Sequence, residues 1–245
     1  MAKLTVHHLQ VGQGERIPFL LEELNIPYHI KLYQRSPLLS PPELKAKHPM
    51  GASPLLEDAT DDASNPILLA ESGAIAEYII HKYGNGRLAL PPSHPNFADY
   101  LYWFHFSNGS LQPGLFRRAL TRGMVPSEED PRFIGNDMRV KGSIAHVNDR
   151  LLKTNAYLAG DEFTAADVMM VWCFTTMRKF EPADLTEYEG VLAWLKRCTD
   201  REGYRRAMKK GDPDLDIEAG ISAKGPPLMD IFAKAMAGKK AGEKL

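Results

Sequence analysis

The rhythm of apolar and polar positions changes once along this chain. From Lys3 to about Gly86, short runs of strand-like alternation trade places with segments of helical period; beyond Asn96 only the helical period is visible. Leu4 to Leu9 reads as a first strand and Tyr28 to Tyr33, after Pro27, as a second. Between them Ile17, Leu20, Leu21 and Leu24 fall on one helical face. Ser40-Pro41-Pro42-Glu43 has the composition of a helix start, with Ser40 as the cap and Glu43 reaching back, and predicts a short helix to His48. Leu55-Leu56-Glu57 and Ile67-Leu68-Leu69 read as a hairpin around the polar loop Asp58 to Pro66, followed by a helix carrying Ile75, Ile79 and Tyr83. The order is βαβαββα.

Pro91, Pro92 and Pro95 interrupt any helix between Arg87 and Pro95 and mark a connector. Past it, Val140, Ile144, Val147 and Leu151 repeat at helical spacing, as do Val191, Trp194, Leu195 and Cys198, which predicts a helical bundle. Thr164-Ala165-Ala166-Asp167 opens the most apolar helix, with Thr164 as its cap and Asp167 bonding back, and this helix is expected at the bundle's centre. From Gly211 glycine, proline and charge dominate, so a loosely attached tail is expected, with one weak apolar patch at Leu228, Phe232 and Met236 docking over the pocket mouth. The expected division is 1–86, a linker at 87–95, a helical domain at 96–210 and a tail at 211–245.

Composition narrows the partners. The 245 residues, 44% hydrophobic, can furnish two modest cores, and a net charge of −1 leaves no electrostatic footprint for nucleic acid or anionic lipid. Cys173 and Cys198 are the only cysteines and both fall in apolar helical patterns, against a disulfide framework, a CxxC redox motif or a cysteine-based zinc site. No metal is expected. No run approaches the roughly 20 apolar residues needed to cross a bilayer, and the expected location is the cytoplasm.

The chemistry concentrates in Gly51-Ala52-Ser53-Pro54 and Glu71-Ser72-Gly73-Ala74-Ile75. A proline entering a strand after a small residue is a candidate cis peptide, which would turn the Ser53 backbone outward to pair with an extended peptide. Ser72 begins a helix, where free N–H groups and the dipole favour an anion, while the Glu71 carboxylate can hold an ammonium. Together these suit the head of an α-amino acid.

Several further stretches carry a resemblance. His8-Leu9 entering a helix that ends Leu20-Leu21-Glu22-Glu23-Leu24, His48-Pro49-Met50-Gly51 before Ser53-Pro54, and the Glu71-Ser72 pair resemble glutathione transferases, most nearly microbial and fungal ones. Tyr102-Trp103-Phe104-His105-Phe106 with Gly109-Ser110-Leu111, and Leu158-Ala159-Gly160-Asp161, extend the similarity over roughly residues 3 to 205. The resemblance implies a thioredoxin-like α/β domain that binds glutathione, an all-helical domain supplying the pocket for a second substrate, and a homodimer. It assigns Glu71 and Ser72 to the γ-glutamyl end and Ser53, held by Pro54, to the cysteinyl unit. Glutathione enters as co-substrate, with no other cofactor, and the activity implied is conjugation to a small electrophile in detoxification or secondary metabolism.

The turn after the first strand departs from the pattern. Similar sequences offer a serine, tyrosine or cysteine to the sulfur there, whereas this chain reads Gln10-Val11-Gly12-Gln13-Gly14-Glu15-Arg16, with Gly12 in the serine's place. Cations that hold the glycyl carboxylate are replaced by Ala52 and about Leu39. Ionising a thiol with pKa near 8.5 at neutral pH requires about 2.7 kcal/mol for two units of depression. Backbone N–H groups freed by Gly12 and Gly14 could provide it with the Gln13 amide, and Asn108 is a second candidate donor. The same glycines could simply close a strand into a helix. A non-catalytic glutathione-binding or regulatory protein therefore stands as the alternative to an enzyme, and disulfide chemistry is disfavoured because no cysteine lies near Gly12.

Overall fold

The computed structural model describes residues 3–36, 39–230 and 233. β1 (Leu4–Leu9) runs parallel to β2 (His29–Tyr33), with Val6 opposite Ile30, and antiparallel to β3 (Leu55–Asp58), which pairs with β4 (Ile67–Ala70). The sheet order is β2-β1-β3-β4. α1 (Arg16–Leu24) follows a single 3-10 turn, Gln13–Glu15, and packs its leucines into the core beneath Leu4 and Val6. It ends at Asn25, whose left-handed backbone (φ 54°) and N–H bonds to the last carbonyls suit an asparagine. α2 (Pro42–Lys45) and α3 (Ser72–Lys82) complete the α/β unit, and Ile75 and Ile79 point into the core as their spacing predicts.

Two expectations about this half are corrected. α2 starts at Pro42 behind Pro41 and stops at Lys45; Ser40 makes no cap, because the extended Pro41 already occupies the position before the first turn. His7 and His8 alternate along β1, a pattern that by itself predicts one toward the core and the other toward solvent or ligand. Both are buried, since both faces of the sheet are covered. His7 sits beneath Tyr33, 2.9 Å from its Oη, and reaches Glu57 at 3.2 Å, on the face where Leu9, Tyr33 and Leu44 form a small separate core. His8, on the opposite face, bonds Asp212 at 2.6 Å.

Helices alone follow. α4 (Phe97–Phe106) passes through one π-helical turn, Ser107–Leu111, into α5 (Gln112–Met124), and α6 (Pro131–Thr154) returns alongside with Asp130 capping the Arg132 N–H. Every residue of α7 (Ala165–Phe174) is buried, as its composition predicts. α8 (Glu189–Thr199), α9 (Glu202–Gly211) and α10 (Ile217–Ile221) wrap it. The Leu-Leu-Glu-Glu-Leu stretch of α1 joins the two halves. Its leucines fill the core while Glu22 takes hydrogen bonds from Arg206 and Lys210, and Glu23 from Arg201, all three on or beside α9. Phe19 meets Tyr204 edge-on at 5.1 Å.

In the expected loose tail after Gly211, residues 212–223 are firmly seated. Asp212 is buried, and Arg178 donates to the carbonyls of Gly220, Ser222 and Ala223, which holds the chain against the bundle. Backbone partners of this kind leave no sequence pattern. Of the apolar patch, Leu228 precedes Met229, whose N–H bonds the Lys179 carbonyl; Phe232 and Met236 lie outside the described residues.

Asp167 is the polar pin of the bundle. Its two oxygens accept from the Leu158 N–H at 3.0 Å, the Trp194 Nε1–H at 2.9 Å and the Thr164 N–H at 2.9 Å, closing the capping box. Asp167→Ala leaves these buried donors unpaired and is expected to cost about 3–5 kcal/mol. A urea denaturation midpoint shifted by less than the equivalent of ~1 kcal/mol would refute that role.

Candidate functional site

The β1–α1 turn, the β3 entrance and the start of α3 meet at one end of the sheet. The Ser53-Pro54 peptide is cis. The Ser53 hydroxyl turns inward, accepting from the Leu9 N–H at 3.0 Å, and its backbone N–H donates to no group among the described residues. Glu71, exposed, holds a left-handed backbone (φ 70°) as the residue before α3, a conformation unusual for a glutamate and a mark of functional constraint. Ser72, the first residue of α3, is buried beside it.

Gly12 and Gly14 have steric reasons to be glycine. A Cβ at Gly12 would stand 2.8 Å from the Leu9 carbonyl oxygen, and one at Gly14 would stand 2.5 Å from His8 Nδ1 and 2.9 Å from Ser53 Oγ. The turn is thus pressed onto β1, and a serine at position 12 would displace backbone. The N–H groups of Gly12 and Gln13 bond no acceptor among the described residues, so the turn does present backbone donors. Val11, just before, holds a left-handed backbone (φ 52°), costly for a β-branched residue. Asp212 accepts from its N–H at 2.7 Å and Arg35 donates to its carbonyl at 2.7 Å, so charged groups fix both ends of the residue.

Gln13 and Asn108, the two side chains expected as donors to sulfur, both take part in a hydrogen-bond network at this turn. Gln13 Nε2 donates to the Ser53 carbonyl at 3.1 Å, and its Oε1 accepts from Gln112 at 2.7 Å and from Arg16 at 3.3 Å. Asn108, in the π-helical turn, donates to Ser72 Oγ at 2.9 Å and accepts from Arg16 Nη1 at 2.7 Å. Its amide is therefore committed to the start of α3. Gln112, which bonds Gln13, shares α5 with Phe116, whose ring stands 6.3 Å from that of buried Trp172, and Phe180 lies beneath Arg35.

Arg16 joins these parts and was not singled out from sequence. It is buried, donates to Asn108, Gln13 and Ser72, reaches Cys173 Sγ at 3.6 Å and lies 5.1 Å from the Trp172 ring centre. The signal was available: Arg16, Leu20 and Leu24 share one helical phase, so the apolar stripe of α1 includes a cation. Its neighbour Glu15 is buried as well. Burial pushes the Glu15 carboxyl up to about 8, with the nearby Asp212 adding to the rise and the Thr176 and Thr175 hydroxyls, at 2.5 and 3.3 Å, and Arg16 opposing it. Asp212 was also missed, because nothing in its surroundings forms a motif.

Two outcomes follow for this turn. Gly14→Ala is expected to lower stability by about 1–3 kcal/mol, as overpacking does; an unchanged urea midpoint would contradict the packing. Glu15 keeps its proton in the folded chain up to about pH 8, whereas in the unfolded chain it loses it near 4.5. The folded state therefore binds the extra proton across that window, and stability falls as pH rises through it. Glu15→Gln, which mimics the protonated group, is expected to flatten that decline in urea melts between about pH 5 and pH 8. An identical slope in the variant would show that Glu15 is not its source.

Comparison with known proteins agrees with this geometry. Residues 13–82 match the family described as Glutathione S-transferase, N-terminal domain, and residues 135–202 the one described as Glutathione S-transferase, C-terminal domain. Glutathione S-transferase 3 of Schizosaccharomyces pombe is 30% identical over 244 residues, covering 91% of this chain and 96% of its own length. Glutathione S-transferase 1 of Saccharomyces cerevisiae is 29% identical, covering 84% and 94%. Among solved structures, a glutathione S-transferase from Actinobacillus pleuropneumoniae superposes with a TM-score of 0.75 at 24% identity, covering 88% of this chain and 95% of that one. Ure2p in complex with glutathione superposes with a TM-score of 0.70 at 18% identity, covering 83% and 97%. The fold is accordingly a thioredoxin-like α/β domain followed by an all-helical one. Identity sustained along nearly the whole chain, on top of that architecture, places this chain in the glutathione S-transferase family.

Proposed function

We propose that this chain binds glutathione and transfers its sulfur to a small, mainly apolar electrophile. The observation that carries the reading is the meeting of three features at one end of the sheet: the Ser53 backbone ahead of the cis Pro54, the exposed Glu71 carboxylate and the buried start of α3 at Ser72. The cysteinyl unit lies along Ser53, the ammonium of the γ-glutamyl group on Glu71 and its carboxylate at Ser72, where helix dipole and hydroxyl both favour an anion. The sulfur then falls beside the Gly12–Gln13 turn. Its thiolate is stabilised by the backbone N–H groups there and by the Gln13 amide hydrogen not given to Ser53. The electrophile packs on Phe116, Trp172 and Phe180. Holding both reactants in one cleft contributes rate without any covalent intermediate on the protein.

Relatives in two yeasts are named glutathione S-transferases, and Ure2p has been solved with glutathione, which supports the ligand for this chain. Detoxification or a step of secondary metabolism in the cytoplasm fits such an activity. Among the described residues no helix is long and apolar enough to cross a membrane. A second copy of the chain would cover Ile67 and Leu68 of β4 and Leu101 and Tyr102 of α4, large apolar side chains that stand exposed. One observation favours a second reading, a protein that binds glutathione without turnover: position 12 has no hydroxyl and has no room for one.

Turnover of 1-chloro-2,4-dinitrobenzene with glutathione separates the two. The transferase reading expects conjugation, and expects Glu71→Ala to weaken glutathione binding by about tenfold or more with the melting temperature unchanged, since Glu71 is exposed. Tight glutathione binding with no conjugation of this or other electrophiles would establish the binding protein instead.

A further inference from the structure

We propose that Asp212, at the far end of α9, is a positioning residue for the thiol: it fixes the β1–α1 turn, so that the acidity of bound glutathione is set from the helical domain. The inference rests on the glutathione reading above and adds to it a residue that acts through the turn rather than on either reactant.

Asp212 follows α9 directly, and α9 is seated on α1. Phe19 meets Tyr204 edge-on at 5.1 Å, Arg206 and Lys210 donate to Glu22, and Arg201 donates to Glu23. The Asp212 N–H closes the helix on the Met208 carbonyl at 2.8 Å. The corner fits closely against β1: a Cβ at Gly211 would stand 3.4 Å from the His8 ring, and Gln10 Nε2 donates to the Gly211 carbonyl at 3.0 Å. Asp212 is thus held by the helical domain, yet both oxygens of its buried carboxyl serve the other one. Oδ2 meets His8 Nε2 at 2.6 Å, and Oδ1 accepts from the Val11 N–H at 2.7 Å.

The second of these bonds controls the turn. Val11 holds a φ of 52°, a conformation that a β-branched side chain resists and that persists only where the surroundings impose it. Two successive peptide groups are pinned around it. Asp212 takes the N–H of the peptide before Val11, and Arg35 donates at 2.7 Å to the Val11 carbonyl, in the peptide after it. The C=O and N–H of a planar trans peptide point in opposite directions, so the hold on this carbonyl also aims the Gly12 N–H away from Arg35. That N–H, like the one of Gln13, bonds no acceptor among the described residues and is a donor the proposed mechanism assigns to the thiolate. Without Asp212, Val11 loses the bond that compensates its backbone and relaxes toward φ below zero, which rotates both peptides and turns the Gly12 N–H off its line. An anionic side chain this near by itself opposes a thiolate, so what Asp212 contributes is the geometry of its acceptor. Asparagine preserves that geometry: its oxygen accepts from Val11, and its amide meets His8, whose ring nitrogen accepts in the other tautomer.

The test titrates the thiol of glutathione bound to the full chain, read by the ultraviolet absorbance of the thiolate, beside calorimetry with S-hexylglutathione, which has no thiol. Wild type is expected to hold the thiol about two units below its free value. Asp212→Ala is expected to return about one of those units, so that at a pH below both values the thiolate fraction falls about tenfold and kcat toward 1-chloro-2,4-dinitrobenzene falls with it. Its affinity for S-hexylglutathione changes by less than about threefold, and Asp212→Asn keeps the thiol within about 0.3 units of wild type. An alanine variant whose bound thiol is as acidic as that of wild type overturns the proposal, and so does an asparagine variant as impaired as alanine; both leave the glutathione reading intact. Loss of S-hexylglutathione affinity as large as the loss of kcat overturns it too, marking damage to the whole site. Wild type that binds glutathione without acidifying its thiol overturns the proposal and the transferase reading together, and wild type that does not bind it overturns the glutathione reading as well. Should Asp212→Ala fail to fold, Gln10→Ala replaces it, removing only the bond to the Gly211 carbonyl; a thiol raised by about 0.5 to 1 unit, the worth of one hydrogen bond, is expected, and an unmoved value overturns the proposal.

Discussion

The domain junction is organised around one buried guanidinium. Arg16 stands where the 3-10 turn becomes α1, and its donors reach the turn at Gln13, the start of α3 at Ser72, the π-helical turn at Asn108 and α7 at Cys173. A cation so placed needs hydrogen-bond acceptors around it to offset its burial. That requirement accounts for features that look unrelated in sequence. Asn108 is oriented by Arg16 and so faces Ser72; Gln13 is gripped by Arg16 and Gln112 and so faces Ser53. The π-helical turn, a less stable arrangement than regular helix, is where Asn108 reaches the α/β domain.

A second constraint acts from the far end of the chain. Asp212, just past α9, bonds both His8 on β1 and the Val11 N–H, while Gln10 donates to the Gly211 carbonyl. The β1–α1 turn is thereby clamped between β1 and the last part of the helical domain. Close packing then forces glycine at positions 12 and 14, and the absence of a side-chain hydroxyl reads as a consequence of how near the turn lies to β1. Backbone N–H groups at the turn remain as donors, which is why thiolate stabilisation falls to them in the proposed mechanism.

Much of this was legible in the sequence because it is local. β1 falls on Leu4–Leu9 as its alternation indicates, α7 begins behind Thr164 with Asp167 bonding back, and the peptide before Pro54 is cis. The separation of Ser53 from Glu71 and Ser72 follows from the hairpin register, which pairs Leu55 with Ala70, and from the helix start at Ser72. What escaped was set by distant partners. His7 and His8 are both buried because α2 covers one face of the sheet and the Gly211–Asp212 corner the other. The start of the tail is anchored at Ser222 and Ala223 by Arg178 through backbone carbonyls, which any sequence supplies. The direction of Asn108 is set by a distant partner as well, since its Oδ1 accepts from Arg16.

The central claim is that a γ-glutamyl tripeptide lies across Ser53 with its amino-acid head between Glu71 and Ser72. A crystal structure of the chain grown with S-hexylglutathione tests it directly. The account predicts cysteinyl N–H and C=O groups within hydrogen-bond distance of the Ser53 backbone, the α-carboxylate on Ser72 and the sulfur beside Gly12 and Gln13. Density for the ligand at another place, or with its γ-glutamyl end away from α3, would contradict it.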